Sequence, residues 1–184
     1  MILPIVAYGD PVLRKKGAEI TKDYPELKEL IDNMWETMYE SNGVGLAAPQ
    51  IGKSINLFVI DATPMQDPNY GEFKKVFINV EIIEEFGEKW EYEEGCLSIP
   101  NVRDNVKRYS DLVIRYMDEN FVEHEEEISG MPARVIQHEF DHIKGVLFVD
   151  HLSELKKRLI KSKLINISKG NVDVDYRMRF PSTR

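Results

Sequence analysis

Residues 138–148 read HEFDHIKGVLF, and the first five of them decide how the chain is built. Two histidines four apart on a helix are separated by ~40° of rotation and about one turn of rise, so His138 and His142 face the same way. Glu139 stands ~100° round from His138, close to anything held at the pair. Two imidazoles with a carboxylate between them suit a catalytic metal site in which the carboxylate manages protons. The spacing alone also describes an accidental pair on a helix surface. Val135, Ile136, Phe140 and Ile143 supply an apolar face for a core, which places the site on the buried side. The helix is expected over about 132–143, with Pro132 near its start and Gly145 as its stop. In the longer signature H-E-x-x-H-x-x-G-x-x-H a third histidine closes the set, but that position here is Phe148.

Outward from this helix the pattern changes. Segments INLFVID, KVFINVEII, KWEYEE, NVKRYSDLVIRYMD and FVEHEEEIS, from 55 to about 128, are rich in β-branched and aromatic residues and several alternate. Turn signals at Asp67-Pro68-Asn69 and Asp118-Glu119-Asn120 separate them, so hairpins and antiparallel sheet are expected. An earlier helix is expected over 25–41, with Pro25 at its first position, Leu27, Leu30, Ile31, Met34, Trp35 and Met38 at helical spacing, and Gly43 beyond its end. A third helix begins near Ser153, a plausible N-cap for SELKKRLIKSKLINIS. Helix, strands, helix, helix reads as α+β rather than repeated βαβ units. The predicted architecture is antiparallel sheet packed around the H-E-x-x-H helix, with an N-terminal and a C-terminal helix.

The 184 residues suit one domain with a sizeable core, read as a catalytic part over 1–152 and a basic helix and tail over 153–184 within the same domain. The N-terminal MILPIVAYGD lacks a basic n-region and its apolar run is broken by Pro4, so neither a signal peptide nor a membrane anchor is expected. With a single cysteine no intrachain disulfide is possible, and the expected setting is cytoplasmic. The net charge of −8 argues against bulk or sequence-specific nucleic-acid binding, yet it is unevenly spread. Residues 155–184 carry nine Lys/Arg and two Asp/Glu, against 15 and 30 in the rest of the chain. A basic tail on an acidic body suggests a phosphate-rich or acidic docking partner. The same composition also describes a solvated helix face with a floppy terminus.

A catalytic metal site needs three protein ligands and one open position. Asp150 and Glu154 follow the helix too closely to fold back, His151 reads as a capping or surface residue, and His124 sits in the charged stretch EHEEE. Cys96 remains, in Glu94-Gly95-Cys96-Leu97-Ser98-Ile99-Pro100, a Gly- and Pro-bounded turn after a strand-like segment. A lone cysteine is commonly a small buried hydrophobe, and it could also be a nucleophile paired with one histidine. Two histidines sharing a face with a glutamate are more than such a dyad requires, which favours Cys96 as a thiolate ligand suited to Fe(II) or Zn(II).

The stretch 43–52, GVGLAAPQIG, has close-approach glycines and alanines but neither the lysine nor the flanking elements of a phosphate loop. Gln50 at its end is informative, because a fixed amide can donate to a developing oxyanion. Taken together and in order, GVGLAAPQIG, EGCLSIP and QHEFDH resemble the three signature motifs of the peptide deformylase family, over roughly residues 1–150. The resemblance implies an α+β fold and removal of the N-formyl group from the initiator methionine of nascent polypeptides. It implies a divalent ion on Cys96, His138 and His142, with iron(II) the native metal and zinc or nickel able to replace it. Glu139 becomes the general base and proton donor, Gln50 and the backbone N–H of Leu97 the oxyanion donors, and Gly45 a backbone partner of the extended peptide. Ile51 and Val135 are candidates for the methionine pocket by proximity. The family works at the ribosome, and the basic tail fits docking there. Rival readings are a general H-E-x-x-H endopeptidase and a structural metal domain.

Overall fold

A computed structural model describes residues 1–181. The tail expected over 153–184 therefore extends three residues beyond the described part. The H-E-x-x-H helix, α2, runs Gly130–Ile143, two residues longer at its start than its spacing predicts. That start is set from outside the helix. The Asp67 carboxylate accepts from the Met131 N–H at 2.8 Å, capping the positive end of the helix. Gly130 has φ +63°, and a Cβ there would lie 2.2 Å from Asp67 Oδ2. The Asp67-Pro68-Asn69 turn thus serves α2 as well as its own loop. At the other end Gly145 takes φ +76° as expected, and a Cβ there would strike the carbonyl of Arg14 at 2.6 Å.

The sheet around α2 is five-stranded and antiparallel, in the order β2 (Gly45–Ala47), β3 (Leu57–Asp61), β4 (Lys74–Cys96), β5 (Ile99–Met117), β6 (Glu123–Ser129). KVFINVEII and KWEYEE, expected as separate strands, are one long β4. The register shift between Phe86 and Lys89 accommodates Gly87 at φ +83°, so the glycine makes a bulge rather than a turn. The Asp118 turn forms as read, its carboxylate accepting from the N–H groups of Asn120 and Val122. Phe58, Phe77, Ile114, Leu112 and Ile128 of the sheet pack against Ala133, Val135, Ile136 and Ile143 of α2 in one core. Phe140, half-buried, packs against it.

Helix α1 is Leu27–Glu40, so its start differs from the reading of 25–41. Pro25 lies ahead of it and Glu26 is left-handed at φ 56°. Asn42, at φ 56°, takes the left-handed position at its end, and Gly43 only returns an N–H to the Met38 carbonyl at 2.9 Å. An asparagine tolerates that conformation, which is why the stop falls one residue earlier. Ile31, Met34 and Met38 are buried against β2 and β3 side chains in a second core.

The last helix, α3, runs Glu154–Ser168 with the Ser153 hydroxyl accepting from the Lys156 N–H at 3.3 Å. Residues 169–181, the described part after α3, do not form a floppy tail. Residues 172–180, VDVDYRMRF, alternate strictly: Val172, Val174, Tyr176, Met178 and Phe180 are half-buried, while Asp173, Asp175, Arg177 and Arg179 are exposed. Within this strap, β7 (Met178–Arg179) pairs in parallel with β1 (Ile5–Val6), joining the two ends of the chain. Val172, Met178 and Phe180 pack on a third core with Ile99, Leu147, Phe148 and Ile167. Phe148, the position of the absent histidine, is a core residue stacked on the His138 ring at 6.1 Å. Among the described residues no helix is long and apolar enough to cross a membrane.

Candidate active site

Three elements meet at the site. Helix α2 brings His138, Glu139 and His142, the turn from β4 to β5 brings Cys96 and Leu97, and the segment after β2 brings Gln50. The ligand atoms of Cys96, His138 and His142 all lie within 4.8 Å of one another. Cys96 Sγ is 3.5 Å from His142 Nε2. Two ligands of one tetrahedral ion, bonded at about 2.3 and 2.0 Å, stand ~3.5 Å apart, so the donor set fits a divalent metal in chemistry and in spacing. His138 Nδ1 meets Glu94 Oε1 at 2.9 Å, the carboxylate–imidazole contact that turns a ring's other nitrogen toward a metal. Two polar atoms here are buried without a partner, Glu139 Oε2 and His142 Nδ1.

The buried groups divide in their affinity for protons. Burial and the charge of His138 push His142 down to about 3, so it stays neutral. For His138 burial acts in the opposite sense to the result. Hydrogen bonds to Cys96 and Glu94, with the charge of Glu139, raise it to about 10. A cation at the same point would displace that proton. Burial raises Glu139 to about 7, against the pull of His138.

Glu139 also explains a glycine. A Cβ on Gly45 would lie 2.6 Å from Glu139 Oε1, so the carboxylate rests on the Gly45 backbone. Gln50 is buried and its amide orientation is fixed. Its Oε1 accepts from the Ala47 N–H at 3.0 Å, which turns Nε2 toward Cys96 Sγ at 3.4 Å and Ser98 Oγ at 3.3 Å. Gly45, Gln50, Cys96 and Glu139 line a groove of about 1030 Å³ with Leu97, Val135 and Tyr176. Ile51 does not line it: its side chain is turned into the second core, beside residues of α1. That is a correction to its candidacy for the methionine pocket, and proximity in sequence misled because Gln50 and Ile51 point apart.

Beneath the groove lies a network with no assigned part in the sequence reading. Arg108 donates to Glu94 at 2.8 and 3.0 Å and to Asp141 at 2.9 Å, and Arg134 donates to Glu94 at 2.8 Å. All four side chains are buried, and their formal charges cancel. His138 and Arg108 hold the Glu94 carboxyl well below its usual range although burial opposes this. His151, read as a surface or capping residue, is exposed yet reaches Asp141 at 2.8 Å. Asp150 pairs with Arg14 and His124 with Asp118, so neither approaches the metal ligands. Glu94 and Asp141 sit inside the signature motifs, yet nothing in their spacing names Arg108 as the partner. Tyr176 was missed too, though the alternation of residues 172–180 marks it as inward-facing.

What the groove can do defines a class. A buried carboxylate with a raised proton affinity and an immobilised amide, set around one point and open on one side, suit an amide hydrolase. The profile of the polypeptide deformylase family matches residues 2–158. The chain is 58% identical to the peptide deformylase of Christiangramia forsetii, over all of this chain and 98% of that one. It is 56% identical to the peptide deformylase of Cytophaga hutchinsonii, over 98% of both. Among solved structures it is similar to a plant peptide deformylase 1B, with 33% identity, a TM-score of 0.82, and 95% and 96% of the two chains covered. A peptide deformylase from Acinetobacter baumannii, solved with Met-Ala-Ser bound, superposes with a TM-score of 0.76 at 35% identity, covering 83% of this chain and 99% of that one. The chain belongs to the peptide deformylase family, hydrolases of the formyl-amide bond.

Proposed function

We propose that the protein is a metal-dependent peptide deformylase that removes the N-formyl group from the N-terminal methionine of newly made polypeptides and releases formate. The observation that carries this reading is the convergence of Cys96, His138 and His142 within 4.8 Å beside the buried Glu139 carboxylate. Cys96, His138 and His142 would hold one divalent ion, iron(II) in the native protein and zinc or nickel in other preparations. Such an ion supplies Lewis acidity and water with a pKa lowered toward ~7.

The chain's own groups divide the remaining work. Glu139 takes a proton from the attacking water and delivers it to the leaving amine as the C–N bond breaks. Its affinity, raised to about 7 by burial, suits a group that takes and returns a proton near neutrality. A bound cation would draw that value down. Gln50 Nε2 and the backbone N–H of Leu97 donate to the oxygen that becomes negative when water adds to the formyl carbon. Gly45, on the free edge of β2, offers its backbone to an extended peptide as an added strand. The Met-Ala-Ser bound to the Acinetobacter baumannii relative supports a methionine-first peptide as the occupant of the groove. Val135 is the candidate for the methionine side chain.

We read residues 1–152 as the catalytic part and 153–184 as a basic helix and tail of the same domain, working in the cytoplasm, with α3 docking on the ribosome. Deleting 155–184 would not test docking cleanly, since it also removes Tyr176 from the groove wall. Exchanging Lys161 and Lys163 for Glu leaves the groove intact. It is expected to weaken ribosome co-sedimentation at low salt, and unchanged binding would sink the docking idea. For the activity itself, Fe(II)- or Ni(II)-loaded protein is incubated with formyl-Met-Ala-Ser and with an unformylated peptide. Formate from the first alone is expected. No formate removes the reading, and internal cleavage of the second peptide points to an endopeptidase.

A further inference from the structure

The turn that carries Cys96 and Leu97 is tied down by a part of the chain that no signature motif includes. The Tyr176 hydroxyl donates to the Leu97 carbonyl at 2.6 Å, across 79 residues of sequence. On one side of Tyr176 the strap is pinned by Asn101 Nδ2, which donates to the Asp173 carbonyl at 3.1 Å. On the other it is pinned by the pairing of Met178 with Ile5. The phenol therefore arrives from a backbone fixed at both ends. Burial raises its proton affinity, which keeps it a donor.

Its target is held from several directions. Gly43 packs closely on Leu97, since a Cβ there would lie 3.0 Å from Leu97 Cδ1. The Ser98 carbonyl accepts from the Tyr8 N–H at 2.9 Å, and Ser98 Oγ receives Gln50 Nε2 at 3.3 Å. Among the described residues, only at Leu97 is a carbonyl of this turn secured by a side chain. Anchoring that carbonyl fixes the Leu97–Ser98 peptide plane, and through the shared Leu97 Cα it restricts the swing of the neighbouring plane that carries the Leu97 N–H. Donor direction matters because an oxyanion donor acts through a fixed dipole that needs no reorganisation during the reaction.

We propose that Tyr176 is a positioning residue for the oxyanion donor of Leu97, and that the C-terminal strap is a working part of the active site. The assignment rests on the deformylase reading for its kinetic consequence, but not for its structural one. It makes the tail a clamp on the turn, separate from any docking by α3.

The test uses the full metal-loaded chain with Tyr176→Phe, which keeps the ring and removes only the hydroxyl. Formate release is expected to show kcat lowered roughly three- to tenfold, the worth of one positioning hydrogen bond, with KM for formyl-Met-Ala-Ser held. Metal content should match the wild type, and the unfolding midpoint should fall only slightly, as the loss of one hydrogen bond requires. Arg177→Ala, on the outer face of the same strap, should keep the wild-type kcat. An unchanged kcat in Tyr176→Phe, an effect confined to KM, or an equal fall in Arg177→Ala would each overturn the assignment. Amide hydrogen exchange at Leu97 separates this idea from the deformylase reading, because it needs no turnover. Exchange faster in Tyr176→Phe supports the clamp even if no formate is ever released, and unchanged exchange refutes it even in an active enzyme.

Discussion

Helices α2 and α3 are nearly equal in length, 14 and 15 residues, and almost opposite in what surrounds them. In α2 ten residues are buried, five of them polar: Arg134, Gln137, Glu139, Asp141 and His142. In α3 only Ile167 is buried, and Leu155 and Leu159 are 66% and 70% exposed. Burying a polar group without a partner is costly, so α2 can keep such residues only because a network receives them or because chemistry requires them unpaired. The polar groups of α3 stay in water and need no such arrangement. Substitutions in α2 and its partners should therefore be severe and specific, and those in α3 mild.

The largest difference should come from Glu139→Gln. It preserves shape and the metal ligands while removing the proton carrier, so turnover should fall by ~10²–10⁴ with metal content retained. Formate assays and metal analysis of the same preparation check this, and activity within tenfold of wild type would deny Glu139 its role. Next is Arg108→Ala, which strands Glu94 and Asp141 as buried carboxylates without their shared cation. Breaking such a pair by removing one side costs about 3–5 kcal/mol, measurable as a lowered urea midpoint.

Acid should reveal the same network. The Asp141 carboxyl is held down to about 2 by His151 and Arg108, against the opposing effect of burial. A carboxylate with a depressed folded-state pKa adds stability above its unfolded value near 3.8, and loses it as pH falls toward about 2. The expected contribution is about 2 kcal/mol, lost over that window. Asp141→Asn should flatten the fall in unfolding free energy between pH 4 and pH 2, and an unaltered slope would assign it elsewhere. Smallest of all, Leu159→Ser on α3 should change stability by no more than about 0.5 kcal/mol and leave formate release untouched. A larger loss would mean that this face is covered and that the two helices differ less than their burial suggests.

The two helices also differ in how much of them could be read in advance. The face shared by His138 and His142 is a property of four-residue spacing, and the Ser153 cap is equally local. KVFINVEII and KWEYEE read as two strands, and the stop of α1 as Gly43 rather than Asn42, because a glycine in a strand and an asparagine at a helix end each permit several outcomes. The Arg108 network and the Tyr176 contact join residues 14 to 79 apart, and no periodicity specifies which partner a buried charge will meet. The alternation in residues 172–180 announces that one side is covered, but only the fold tells what covers it. Cys96 lies between these cases. Its turn is visible in the flanking glycine and proline, while its approach to His142 depends on a contact across 46 positions of sequence.

The pairing of Ile5 with Met178 sets an order of events in time. A chain growing from its N-terminus holds β1 without its partner until residues 178 and 179 have been added. Closing that pair is a contact of the longest sequence separation and comes after the more local hairpins. The strap that Tyr176 belongs to is then seated after those hairpins. Until residue 176 has been made, the Leu97 carbonyl has no phenol to accept from, so the turn that carries Cys96 forms before the contact that holds it.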